Sequence, residues 1–254
     1  MRGVLLVDKP AAWTSFDVVN YVRRIVAQAE GKKPKHVKVG HTGTLDPFAT
    51  GLLVLLVGKD YTKRAGELAK LDKTYVVTAK LGEVSSTGDI EGEITKFFMP
   101  GRHPEFISGS HGMPKQVRHD VEAPTRLEFK HVLDEFTGVI EQTPPAFSAI
   151  KVHGQRAYKL ARAGKEVVIE PRNVTINRLD LINYNYPEVK LVAEVSSGTY
   201  IRTLVEDIGQ ELRVGAYTTE LRRTKVGTFE IENAWPVKEL NAERIASNLL
   251  TIVV

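Results

Sequence analysis

Residues 51–58, GLLVLLVG, place six consecutive aliphatic side chains between two glycines. A strand with one wet face alternates apolar and polar residues, so an octet without a polar member must be covered on both faces. It is far short of the roughly 18 apolar residues of a membrane span, and too short for an ordinary buried helix. The run therefore predicts a central strand with material packed on either side. That demands a sizeable core, which 254 residues at 42% hydrophobic can supply.

The segments around it supply the rest of the sheet and its cover. GVLLVDKP predicts a short buried strand ended by proline, and Ser15 reads as the N-cap of a helix in which Val18, Val22, Ile25 and Val26 recur at helical spacing. KDYTKRAGELAKL predicts a helix, KTYVVTAKLG a strand with Tyr75, Val77, Ala79 and Leu81 on one face, and SSTGDIEGE a turn. TRLEFKHVLDEFTG opens with a capping box, Thr125 with Glu128 three residues on, and closes on Gly138. AFSAIKVHG reads as a strand and QRAYKLARAG as a short helix stopped by Gly164. Two alternating strands then flank a turn at Tyr186-Pro187. GTYIRTLVEDIGQELR is an amphipathic helix, and TTELRRTKVGTFEI closes with strand-like alternation. Residues from about 97 to 124, carrying prolines, glycines and three histidines, have no clear period and read as an irregular insertion. Hairpins mixed with helices, without a regular βαβ repeat, give an α+β fold on a mixed, largely antiparallel sheet with flanking helices. The expected organisation is a single domain over 1–254.

Cysteine is absent, which removes disulfides, thiolate metal sites and any cysteine nucleophile. With no signal peptide in MRGVLLVDKP, the expectation is a cytoplasmic protein without membrane attachment. The net charge of +4 is unevenly spread: +7 over residues 1–80, −5 over 81–150 and +2 over 151–254. The basic first third is a candidate surface for a polyanion, and Lys32, Lys33 and Lys35 in GKKPKHVK are its densest cluster and candidate phosphate contacts. Taken alone, such a run is also what a solvated loop looks like.

No HExxH, GxSxG or GxxxxGK[ST] pattern occurs, no histidine spacing suits a metal, and GHTGTLDP does not match the dinucleotide-binding spacing. A lone carboxylate remains. Asp46, between glycine-rich turns and just before Pro47 and the apolar octet, is either a turn former or a rigidly aimed nucleophile or base. Tyr75 is either a core tyrosine or a platform on which a base could stack. Arg202 falls in the first turn of its helix, where the macrodipole offers a cation nothing. Either it is a surface arginine or some other charge holds it there.

These residues lie in blocks that resemble a known family. GVLLVDKPAAWTS, VGHTGTLDPFATGLLVLLVG, LDKTYVVTAKLG, PPAFSAIKVHGQRAYKLARAG and VSSGTYIRTLVEDIGQELRVGAYTTELRRTKVG, in that order from residue 3 to about 227, are similar to TruB-type tRNA pseudouridine 55 synthases. The resemblance implies that Asp46 is the catalytic aspartate, acting on a uridine flipped out of the T loop of tRNA. It implies that Tyr75 stacks on the base, that Arg202 pairs with Asp46, and that His41 enters the space left by the rearranged T loop. Lys9 and Pro10 would support the pocket, and Tyr200 and Leu221 would line it. Uridine and pseudouridine are isomers, so no cofactor and no metal are expected; the partner is the T stem-loop of tRNA, bound by a monomer. The competing reading is a TruB-like module that binds or folds tRNA without significant catalysis. A phosphate-ester hydrolase would need metal-binding carboxylates that the sequence does not group.

Overall fold

The computed structural model describes residues 1–98, 123–148, 150–152 and 154–251. Its strands are β1 (Gly3–Lys9), β2 (Val39–His41), β3 (Thr50–Val57), β4 (Lys73–Leu81), β5 (Glu83–Ser85), β6 (Ile94–Lys96), β7 (Gly138–Gln142), β8 (Lys151–Val152), β9 (Gln155–Arg156), β10 (Arg172–Asn185), β11 (Glu188–Val195), β12 (Ala216–Val226), β13 (Phe229–Glu230) and β14 (Trp235–Pro236). The helices are α1 (Ser15–Ala29), α2 (Lys59–Thr62), α3 (Ala65–Ala69), α4 (Arg126–Glu135), α5 (Ala157–Arg162), α6 (Ile201–Glu211) and α7 (Ala242–Ser247). The insertion expected at about 97–124 lies outside the described residues except at its ends.

One sheet carries the fold, in the order β14-β1-β3-β12-β4-β11-β10-β7, with β2 beside β3 and β13 beside β12. Among the described strands of this sheet only β1 with β14 and β3 with β12 run parallel, so the α+β architecture on a mixed, largely antiparallel sheet is observed. The apolar octet is β3, and it is covered on both faces. Leu53, Leu55 and Val57 join Leu5 and Val7 of β1 under Val18, Val22 and Val26 of α1, while Leu52, Val54 and Leu56 pack with Val4, Leu6, Leu68 and Val226 on the other side. A separate core lies under α4 and α6, where Val77, Leu191 and Ile176 meet Phe129, Leu133, Leu204 and Ile208.

One edge of β3 is divided between two neighbours. β2 pairs with its end, Val39 opposite Val57 and His41 opposite Leu55, and β12 pairs with its start, Arg222 opposite Thr50 and Arg223 opposite Gly51. Loop 42–49 leaves the sheet between them. At this junction Gly51 has φ +103° and a Cβ there would stand 2.3 Å from the Arg223 carbonyl oxygen, so only glycine lets β12 approach.

Three local expectations differ from what is seen. The N-cap of α1 is Thr14, because its box partner must lie three residues on and Asp17 does; Ser15 would have had Val18. The helix expected over KDYTKRAGELAKL is two short ones, since Arg64 N bonds back three residues to Tyr61 and Gly66 weakens the next turn. In AFSAIKVHG only Lys151–Val152 is strand among the described residues. No helix among the described residues is long and apolar enough to cross a membrane.

Candidate active site

Loop 42–49 is held at successive residues by side chains from several different elements. Arg223 of β12, 2% exposed, donates from Nη2 to the Gly43 carbonyl (3.0 Å) and from Nε to the Leu52 carbonyl (2.8 Å). Ser15 of α1, freed from capping, accepts from Leu45 N (2.8 Å) and donates to Leu45 O (3.1 Å). Lys9, the last residue of β1 and fully buried, donates to the carbonyls of Pro47 (3.2 Å), Trp13 (2.6 Å) and Pro10 (2.9 Å). Leu45, Phe48 and Ala49 anchor the loop in the core beneath α6. Between these fixed points stands Asp46.

Its partner is Arg202, the second residue of α6 and 3% exposed. Nε donates to Asp46 Oδ2 at 3.0 Å, Nη1 to the Thr87 carbonyl at 2.6 Å, and Nη2 to the Phe147 carbonyl at 3.0 Å; Asp89 Oδ2 lies 3.4 Å from Nη1. Two carboxylates and two carbonyls thus offset the helix end that disfavours a cation. Asp89 is itself fixed, its Oδ1 accepting from Thr87 Oγ1 (2.6 Å) and Glu91 N (2.9 Å).

Burial pushes the Asp46 carboxyl above the ordinary aspartate pKa, and the Asp89 carboxylate adds to this, while Arg202 and then Lys9 pull it down without reversing the direction. The pairing with Arg202 is present, and its pull toward the ionised form is outweighed. Burial also lowers the Lys9 ammonium to about 8.

Asp46 opens onto a cavity of about 740 Å³ that Tyr75, Tyr200, Arg202 and Leu221 also line, with Lys73, Asp89, Glu91 and Arg223. Tyr75 lies directly across from Arg223 on the neighbouring strand. The backbone of Tyr200 is clamped by buried Gln142, which accepts from its N–H (2.8 Å) and donates to its carbonyl (3.1 Å). Five of the sequence candidates therefore share one cavity. Lys9 supports the loop from behind. His41 ends β2 and is not itself among the residues lining the cavity, although Thr42 beside it is; its Nδ1 is buried without a partner, and its pKa is lowered by burial and by Arg223. Lys32, Lys33 and Lys35 are exposed; Lys32 pairs with Glu30 at 2.9 Å, and Lys35 lines a second cavity between α1 and β2.

Ser15, Gln142, Asp89 and Arg223 are residues whose part in the site sequence reasoning missed. The first two act on backbone atoms 30 and 58 residues away, which no local pattern records. Asp89 had a signal, a second acid beside a glycine in SSTGDIEGE. The set offers a carboxylate, Asp46, whose direction a guanidinium fixes, with Asp89 and Glu91 also on the lining, and apolar and aromatic walls suited to a flat ring.

Two family models match the chain: TruB family pseudouridylate synthase (N terminal domain) over residues 30–105 and 109–201, and tRNA pseudouridylate synthase B C-terminal domain over 202–251. A curated tRNA pseudouridine synthase B of Thermobifida fusca is 42% identical over 249 residues, 95% of this chain and 75% of that protein. One of Phocaeicola vulgatus is 40% identical over 235 residues, 92% of this chain and 90% of that protein. Among solved structures, a chain of a Cbf5-Nop10-Gar1 complex superposes with a TM-score of 0.63 at 26% identity, over 94% of this chain. The chain spans 53% of that longer one.

Proposed function

The chain belongs to the TruB family of pseudouridylate synthases, and from that premise we propose that it isomerises uridine 55 in the T loop of tRNA, with Asp46 as the catalytic carboxylate. The reaction breaks the bond between the sugar and the ring nitrogen and joins the same sugar carbon to a ring carbon; that carbon gives up its proton, the freed nitrogen takes one up, and the net composition is unchanged. The target bond is closed off in a stacked nucleotide and must be extruded into a pocket. Asp46, ionised, attacks; Arg202 holds its direction; Tyr75 stacks on the extruded base between the walls of Tyr200 and Leu221. Lys9 and Pro10 keep the loop in place, His41 fills the space the rearranged T loop vacates, and Lys32, Lys33 and Lys35 meet phosphates. A single protomer contains every one of these groups.

The observation that carries this reading is the 3.0 Å contact from Arg202 to a carboxylate that faces the cavity lined by Tyr75. Asp46→Asn should bind an unmodified tRNA transcript as the wild type does and form no pseudouridine. Turnover within about tenfold of wild type, about 1.4 kcal/mol in barrier, would rule out the nucleophile. Wild-type protein that binds the transcript without forming pseudouridine would favour the binding module instead.

A further inference from the structure

The second cavity, of about 580 Å³, lies between α1 and the start of β2. Asn20, Arg23 and Arg24 reach it from one face of α1 at helical spacing, and Lys35, Lys38 and Gly40 close the other side. Four of its lining residues are cations and none is a carboxylate. Among the described residues none of the four takes part in an ion pair: Arg23 is held instead by Asn20 Oδ1 (2.6 Å) and the Val39 carbonyl (3.1 Å). Like charges gathered without a counter-charge repel one another, and a bound polyanion relieves this.

A second observation points to a nucleic acid. Phe16, 59% exposed, stands one turn before Asn20 on α1, and the Arg23 guanidinium lies 5.7 Å from its ring centroid. An open aromatic face next to fixed cations is what an unpaired base and its backbone require together. The position is also telling. Ser15, beside Phe16, holds Leu45 of the Asp46 loop, and β2 runs from the cavity at Gly40 straight into that loop.

We propose that this cavity with Phe16 is a second RNA subsite: Arg23, Arg24, Lys35 and Lys38 seat backbone phosphates, and Phe16 stacks on an unpaired base outside the Asp46 pocket. The inference rests on the proposed RNA-modifying function and narrows its phosphate contacts to residues that share one cavity. Lys32 and Lys33 lie outside it.

The test compares the triple variant Arg24→Gln, Lys35→Gln, Lys38→Gln with a control losing three exposed charges elsewhere, Lys130→Gln, Lys190→Gln, Lys238→Gln, both as full chains binding a T-arm hairpin. The first should raise Kd by about tenfold or more and lower the salt slope by about 2, each lost contact removing roughly 0.7 to 0.9. Phe16→Ala should raise Kd by about fivefold or more with an unaltered salt slope. A triple variant whose Kd and slope match those of the control overturns the subsite. Because binding and pseudouridine formation are read separately, failure is assignable. Wild-type turnover with no change in the variant sinks only the subsite; lost binding in the variant with no wild-type turnover sinks only the enzymatic reading.

Discussion

Asp46 and Arg202 show how a charge can be placed where its surroundings oppose it. Arg202 enters the first turn of α6 against the helix dipole, and Asp46, Asp89 and two carbonyls hold it there. Asp46 has one firm partner and a burial cost that raises its pKa from 3.8. Because the attacking form is the ionised one, kcat/KM measured against pH should fall on the acid side at a pH above that of an ordinary aspartate. An acid limb at or below 3.8 would show that Arg202 dominates. The same shift sets how stability responds to pH: the folded-state pKa is the higher one, so stability from protonated Asp46 is present at low pH and lost as pH rises through that value. Asp46→Asn, neutral at every pH, should accordingly melt no lower than the wild type at neutral pH. From its place in the helix Arg202 was either a surface residue or a cation needing a counter-charge, and only the family resemblance named Asp46 as that charge. Asp89 was not named at all, since both carboxylates lie more than a hundred residues away and only the closed sheet brings them together.

At the scale of elements, what was legible is what repeats locally. The octet of β3 had to be covered on both faces, the capping box of α4 sits at Thr125 and Glu128, and the strands flanking Tyr186-Pro187 are β10 and β11. The cap of α1 was misplaced by one residue because Ser and Thr stand side by side and only the partner at Asp17 decides between them. The misplacement hid a function for the freed hydroxyl. Ser15 is 2% exposed and satisfies both backbone groups of Leu45, next to Asp46. Ser15→Ala leaves a buried N–H and C=O unpaired, at a cost of about 1–3 kcal/mol. Thermal melts should show that loss, and single-turnover rates should fall while RNA affinity holds. A variant that melts lower yet reacts at the wild-type rate would mean that the loop is aimed without Ser15.

For the whole molecule, the Asp46 pocket and the basic cavity open from opposite ends of β2, a strand of three residues. An RNA able to reach both therefore needs to be no larger than a stem and its loop. An isolated T-arm hairpin should be modified nearly as well as full-length tRNA, with any deficit in KM. A preference for full-length tRNA of about a thousandfold in kcat/KM, roughly 4 kcal/mol, would sink that expectation.

The strand between the two halves of the sheet has a consequence in time. β12 separates β3 from β4, and it also brings Arg223 to Gly43 and Leu221 to the pocket wall. Its residues, 216–226, come late in the chain. During synthesis, β1 and β3 on one side and β4 on the other have no common neighbour until those residues emerge. Every nascent chain shorter than this carries Asp46 on a loop that Arg223 has not yet fastened, beside a pocket with an open wall. Competence for chemistry therefore arrives with the closing of the sheet, and a growing polypeptide lacks the finished pocket until that step.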